Sequence, residues 1–226
     1  VTQRNGMRCS AAVAYLHPAL DRPNLTVITA ALAHRVIIEN DRAIGVEISR
    51  GADVEEIRAE REVILSGGTY GSAHLLLLSG VGPADQLQAF QIPVVADLPV
   101  GERMQDHYMT LVNYLTEDGS LMTAMSPENL GLLQSEGRGP LTSNVGEAGG
   151  FFHTRPGLAG PDVQFHHAPV LFYGEGMGPA VAHGFGAGPC VLKPTSRGVL
   201  SLRTAAPDSA PRNLHNYLST DEDRQS

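Results

Sequence analysis

Short apolar runs and polar turn residues alternate along the first half of the chain. β-Branched runs between turn-forming residues are typical of strands, and leucine-rich segments bounded by serine and glycine are typical of helices. The pattern predicts a helix over 73–79, with Ser72 as its N-cap and Gly80 as the left-handed residue that ends it, and a second helix over 84–90. The predicted strands are 24–28, 35–38, 43–48, 61–65 and 92–98, with a turn at 39–41 and a polar connection over 51–60.

The pattern changes near His107. Glycine- and proline-rich connections now separate short strand candidates, which is typical of an antiparallel sheet with irregular loops. These strands are 108–115, 149–153, 163–167, 190–193 and 198–203. The sequence therefore predicts a mixed α+β fold in two domains, 1–106 and 107–226.

Composition excludes several classes of protein. Sixteen basic and 24 acidic residues give a net charge of −8, which argues against a binder of nucleic acid, because such a protein needs a basic face. No apolar run approaches the roughly 20 residues of a transmembrane helix. Two cysteines without a Cys-x-x-Cys pair indicate neither a disulfide framework nor a zinc or redox motif. A reducing, cytoplasmic setting is the expectation that follows.

The most informative local feature is a strand–glycine–helix unit over residues 61–79. Gly67 and Gly68 follow an apolar run, and glycine lets the backbone approach a ligand closely. A helix start also offers unpaired N–H groups at the positive end of the helix dipole. A tight turn without any ligand explains the same two glycines, so both interpretations stay open at this point.

A second glycine cluster, over residues 184–188, has the wrong context for a dinucleotide site. No strand leads into it and Pro189 follows, so we predict a flexible loop there.

The remaining ionisable candidates form no complete active site. His166 and His167 are neighbours on a predicted strand, so their side chains point to opposite faces, which argues against a shared metal ion. One of them is expected to face a core or cavity. Glu147 lies between small residues and either lines a pocket or is a solvated loop acid. No Gly-x-Ser-x-Gly motif supports a serine hydrolase.

Taken in order, a series of motifs resembles the glucose–methanol–choline (GMC) oxidoreductases, which are FAD-dependent flavoproteins that oxidise alcohols. The likeness covers nearly the whole chain and is strongest to the bacterial choline dehydrogenase-like and primary-alcohol dehydrogenase branch. The motifs are GMRCSAAVAYL at 6–16, RPNLTV at 22–27, GVE at 45–47, EVILSGG at 62–68, LLLLSGVG at 75–82, LPVG at 98–101, QDH at 105–107, EAGGF at 147–151, VQFH at 163–166, SRG at 196–198 and NYL at 216–218.

The resemblance implies a partial FAD-binding α/β domain over 1–106, followed by a substrate-binding domain on an antiparallel sheet over 107–226. It implies oxidation of a primary alcohol, with choline as one candidate, to an aldehyde by hydride transfer to FAD. Ala33 matches a backbone position beside the adenine.

The same likeness assigns the turn formed by Gly67, Gly68 and Thr69 to the flavin nucleotide. It also implies that Glu147 and His166 lie on the substrate side of the active-site cavity. The family's catalytic histidine segment does not occur in this sequence, so the resemblance assigns no catalytic residue here.

The sequence also departs from the family pattern. The usual Ser-Pro is Ser72-Ala73, and Arg103-Met104 stands where Asn-Leu is common. The Gly-x-Gly-x-x-Gly fingerprint that holds the FAD pyrophosphate is absent. We therefore expect an internal fragment of a larger enzyme, without turnover by itself.

The alternative hypothesis is a non-catalytic binding or interaction module derived from the same fold. Apolar strands without covering layers would favour self-association, so a homo-oligomer is expected. Peripheral membrane association of the parent protein stays open.

Overall fold

The computed structural model describes residues 3–173, 178 and 180–226. The chain divides into two compact units. The four-stranded unit contains residues 1–26, 107–194 and 222–226, and the three-stranded unit contains residues 27–106 and 195–221. The chain thus passes from one unit to the other between Asp106 and His107, and again at three further places. The assignment of residues 1–106 to an FAD-binding domain and of residues 107–226 to a substrate-binding domain stays a prediction.

The described strands are short and mostly antiparallel. They are β1 Gln3–Arg4, β2 Met7–Arg8, β3 Leu32–Glu39, β4 Arg42–Arg50, β5 Asp53–Arg58, β6 Val81–Gly82, β7 Ala96–Asp97, β8 Val112–Leu115, β9 Ala148–Phe152, β10 Val163–Ala168, β11 Gly184–Val191, β12 Val199–Ser201 and β13 Arg212–Leu214.

The described helices are few and short. The α-helices are α1 Gly68–Leu78, α2 Ala84–Ala89, α3 Pro127–Glu136 and α4 Asp221–Gln225, with single turns of π- or 3₁₀-helix at Ala12–Leu16, His17–Ala19, Leu121–Thr123 and Pro140–Thr142. The prediction of a mixed α+β fold with antiparallel sheets is confirmed.

In the three-stranded unit, β3, β4 and β5 form an antiparallel sheet in that order. Asn40 and Asp41 connect β3 to β4 with φ of +50° and +60°, the backbone of a tight hairpin turn. The predicted turn and the strands on either side of it are confirmed. The prediction of a polar connection over 51–60 is wrong, because β5 pairs along β4 from Gly45↔Arg58 to Arg50↔Asp53.

Two apolar runs do not become strands. Among the described residues no ladder forms along 24–28 or 61–65, so these two predictions are wrong. The prediction assumed neighbouring strands that would cover the runs. Without them Ile64 is 75% exposed, and Val27 and Ile28 are exposed as well. Of the run 92–98, only β7 pairs, in parallel with β6.

Helix α1 begins at Gly68, five residues before the predicted start. Gly67 is its N-cap, so the assignment of that role to Ser72 is wrong. The Ser72 hydroxyl instead accepts a hydrogen bond from the Gly67 N–H at 3.0 Å. Gly80 follows the helix with φ of +83°, which confirms its left-handed role. The core of this unit consists of Leu77, Leu78, Leu87, Leu200 and Leu202.

In the four-stranded unit the sheet order is β8-β11-β10-β9, and all neighbours are antiparallel. The glycine cluster 184–188 lies in β11, inside the sheet, so the prediction of a flexible loop is wrong. The glycines permit close packing rather than movement. A Cβ at Gly184 would lie 2.3 Å from Leu171 Cδ2, and one at Gly188 would lie 2.7 Å from Leu111 Cδ2.

Asp162 anchors the start of β10. Its carboxylate accepts hydrogen bonds from the Thr154 N–H at 2.8 Å and from the Thr154 hydroxyl. The Asp162 N–H donates a hydrogen bond to the Phe152 carbonyl, and the Asp162 carbonyl accepts one from the Leu192 N–H. The hydrogen bond from the Thr154 hydroxyl holds the pKa of Asp162 below its usual value, because it stabilises the charged form.

We expect Asp162→Asn to lower the Tm at neutral pH. A carboxyl whose pKa is lower in the folded state contributes stability above its unfolded pKa of about 4, and that contribution is lost as the pH falls through the folded pKa. The difference in Tm between Asp162→Asn and the native protein should therefore shrink below about pH 4. The exposed Asp208→Asn is the control. A difference that stays constant with pH would contradict this account.

Candidate functional site

The turn before α1 is open to solvent. Gly67, Gly68 and Thr69 are exposed, and the first turn of α1 has neither an acidic residue nor a side-chain cap. Gly68 has φ of +72°, and a Cβ there would meet nothing within 4 Å. The first N–H groups of a helix lack intrahelical partners. This turn can therefore receive an anionic group close to its backbone.

Gly67 has little room for a side chain. A Cβ at this position would lie 3.1 Å from the Gly71 carbonyl carbon and from the Ser72 nitrogen. Both atoms belong to the backbone of the helix, so they cannot move aside as a flexible side chain would. The geometry of the turn thus depends on glycine at position 67.

Ala33 lies on β3, at one edge of the three-stranded sheet. It pairs with Ile48 and directly precedes an irregularity in the ladder at His34. Helix α1 packs against β3, and the Val36 N–H donates to the Ser79 hydroxyl at 2.8 Å. Ser79 lies at the C-terminal end of α1, whereas Gly67 lies at its N-terminal end. This contact therefore does not bring Ala33 to the glycine turn.

His74, on α1, has a buried atom without a partner. Its Nε2 makes no hydrogen bond to any described residue, and burial lowers the pKa of the imidazole. The cause is desolvation, which disfavours the charged form. Neutral His74 is therefore favoured on the helix that begins at the glycine turn.

A cavity of about 550 Å³ lies within the four-stranded unit. Its wall is formed by residues 109–111, Val145, Gly146, His166, Ala168, Phe172 and Gly186. His166 and Ala168 are two residues apart on β10 and share one face of the sheet. The wall is mainly apolar, and His166 and Thr110 are the lining residues that have polar side chains.

His167 is directed away from this cavity. Its ring lies 5.1 Å from the ring of Phe185, measured between centroids. The two adjacent histidines thus follow the alternation of a strand, with His166 at the cavity. Within 3–173, 178 and 180–226, no group of three or more His, Cys, Asp or Glu residues could hold a metal ion.

Glu147 is not among the residues that line the cavity. Its carboxylate accepts a hydrogen bond from the Ser143 hydroxyl, and its N–H donates to the His167 carbonyl at 3.1 Å. The preceding residues, Val145 and Gly146, do line the cavity. The structure therefore brings the Glu147 backbone near the cavity wall and engages its carboxylate with serine.

Sequence reasoning missed most of the cavity wall. Residues 109–111 and Phe172 lie in connections outside the regular strands. Period-2 alternation along β10 would have placed Ala168 beside His166. No local pattern marks the other wall residues, because they meet only in the folded unit.

Comparison with known proteins points to one family. The family profile described as GMC oxidoreductase matches residues 1–109. The chain is similar to GMC-type oxidoreductases over nearly its whole length. An uncharacterised GMC-type oxidoreductase of Mycobacterium tuberculosis is 44% identical over 220 residues, which are 97% of this chain and 42% of that protein.

A second GMC relative has a named activity. The oxygen-dependent choline dehydrogenase of Pseudomonas putida is 41% identical over 230 residues, covering 98% of this chain and 41% of that protein. The chain thus spans about two fifths of the length of these curated relatives.

Solved structures of two oxidases share the fold. A variant of formate oxidase from Aspergillus oryzae superposes with a TM-score of 0.85 at 22% identity, over 97% of this chain and 44% of that one. Pyridoxine 4-oxidase from Mesorbium loti gives a TM-score of 0.79 at 23% identity, over 99% and 41% of the two chains. Across the part of the chain that the structure describes, no helix is both long and apolar enough to cross a membrane.

Proposed function

We propose that the protein is an FAD-dependent oxidoreductase that converts a primary alcohol to an aldehyde. The observation that carries this proposal is the open, uncapped turn at Gly67, Gly68 and Thr69 in a chain similar to GMC-type oxidoreductases. The choline dehydrogenase relative supports an alcohol as substrate, and the description of the formate oxidase structure names FAD.

The residues of the turn fit the cofactor. FAD carries two phosphates, and the first turn of α1 offers N–H groups and contains no acidic residue of its own. The open space at Gly68 allows the flavin nucleotide to approach the backbone. Ala33 is proposed to lie beside the adenine. When bound, FAD supplies the acceptor for the hydride that leaves the alcohol carbon.

The cavity is the proposed site for the alcohol. In this proposal residues 1–106 belong to the FAD-binding domain and residues 107–226 to the substrate-binding domain. His166 hydrogen-bonds the hydroxyl group, and the apolar wall excludes water around the carbon chain. Glu147, bonded to Ser143, orders the segment 143–147 beside the wall. Choline and uncharged primary alcohols are the two candidate substrates.

His166→Leu tests the role of the cavity in the complete gene product. Loss of one hydrogen bond to the substrate should raise the KM for a primary alcohol by about three- to tenfold. His167→Phe, on the opposite face of β10, retains the ring beside Phe185 and should leave KM unchanged. A panel containing choline and uncharged primary alcohols identifies the substrate. Equal effects of the two substitutions would contradict the substrate role of His166.

Self-association and location belong to the same proposal. Exposed apolar residues such as Val27, Ile28 and Ile64 favour burial against further protein. We propose a cytoplasmic homo-oligomer, on the grounds of these residues and of the low cysteine content.

A further inference from the structure

Four side chains meet beside the first turn of α1. The Tyr70 hydroxyl lies 2.7 Å from His215 Nε2. The His215 ring stacks on Tyr217, with centroids 5.0 Å apart and an interplanar angle of 11°. The Tyr217 hydroxyl donates to the Asp106 carboxylate, whose Oδ2 lies 3.9 Å from His215 Nε2. The cluster thus joins three stretches that are distant in the sequence, with the His215 imidazole at its centre.

The backbone around His215 is held in an unusual conformation. Asn216 and Leu218 have φ of +56° and +53°, a left-handed conformation that residues other than glycine seldom adopt. The Asn216 side chain donates to the Arg197 carbonyl at 2.9 Å. A Cβ at Gly198 would lie 2.2 Å from the Leu214 carbonyl oxygen. Such a conformation persists only where surrounding contacts fix the segment.

This cluster takes no part in the proposed cavity, but it touches the proposed cofactor turn. Tyr70 follows Thr69 directly and is itself in the first turn of α1. We infer that His215 is a positioning residue: through the Tyr70 hydroxyl it holds the first turn of α1 in the geometry that receives FAD. The inference rests on the proposed function, since it assigns a role toward the same turn.

The hydrogen bond, rather than the packing, carries this role. An imidazole nitrogen accepts from or donates to a phenol hydroxyl, according to its tautomer. Glutamine offers a donor and an acceptor on a side chain of comparable reach. Phenylalanine retains the ring that stacks on Tyr217 but offers neither.

The test measures the dissociation constant of FAD from the apo form of the complete gene product, by the change in flavin fluorescence. His215→Phe and Tyr70→Phe each remove the same bond and should each weaken binding by about three- to tenfold. The double variant should bind no more weakly than either single variant, because one bond is shared. His215→Gln should recover most of the affinity. Tyr15→Phe, at a tyrosine that is 79% exposed, is the control and should bind as the native protein does.

The Tm of each apo variant is measured alongside. A native apoprotein that binds no FAD would overturn the proposed function itself. If native protein binds FAD and Tyr70→Phe binds it equally well, the inference is wrong. Additive losses in the double variant, or a fall in Tm with unchanged FAD affinity, would also overturn it, because both indicate a purely structural role.

Discussion

Thr69→Glu should weaken FAD binding by about tenfold or more without lowering the free energy of unfolding. Thr69 is the second residue of α1. A carboxylate there interacts favourably with the helix dipole, by about 0.3–1 kcal/mol. Under the proposed function, the same charge repels the FAD phosphates that bind at this turn. Two like charges about 8 Å apart repel by about 2 kcal/mol at an effective dielectric constant of about 20, and about 1.4 kcal/mol changes an affinity tenfold.

Thr69→Gln is the matched control, because it adds similar bulk without charge. We expect it to weaken FAD binding much less than Thr69→Glu does. The measurement is a calorimetric titration of apoprotein with FAD, together with urea unfolding of the same samples. Equal affinities of the two variants would show that phosphate does not approach Thr69. A loss of stability in Thr69→Glu would remove the electrostatic explanation.

Gly80→Ala should destabilise the protein by about 3 kcal/mol, by strain and by displacement of a neighbouring backbone. Gly80 has φ of +83°, and a Cβ there would lie 2.3 Å from the Pro93 carbonyl oxygen. The Gly80 carbonyl also accepts hydrogen bonds from the Val95 and Ala96 N–H groups. The substitution thus disturbs both the end of α1 and the segment that leads into β7.

Gly51→Ala separates these two causes. Gly51 also has a positive φ, of +63°, but a Cβ there would meet nothing within 4 Å. Gly51→Ala should therefore lower the free energy of unfolding only by the cost of a positive φ for alanine, about 1 kcal/mol. Denaturant unfolding of both variants gives the two free energies. Equal losses would mean that the contact with Pro93 relaxes without cost.

Local chemistry explains which elements could be predicted from sequence. The left-handed Gly80, the turn at Asn40 and Asp41, helix α2 and the antiparallel sheet all follow from backbone preferences of the residues themselves. The elements that were predicted wrongly depend on the strands that pair with them. β5 is acidic and exposed but pairs along β4, while the apolar run 61–65 forms no ladder among the described residues.

Glycine was hardest to interpret, because it permits opposite outcomes. At positions 184–188 it allows close packing inside a sheet, whereas at Gly68 it permits an open turn with a positive φ. Alternation along β10 sufficed to separate His166 from His167. The meeting of Tyr70, Asp106 and His215 has no sequence signal, because these residues are distant along the chain. The roles of Ala33, Gly67, Gly68, Thr69, Glu147 and His166 remain predictions, and the substitutions above test those of Thr69 and His166.

The most direct test of the central claim is to add a primary alcohol, without oxygen, to the purified complete gene product and to record its visible absorption. We predict that the protein carries FAD, that the oxidised flavin band disappears, and that one aldehyde forms for each flavin reduced. A protein that binds no flavin would contradict the claim and favour a binding module derived from the GMC fold. Bound flavin that no alcohol in the panel reduces would contradict the proposed reaction.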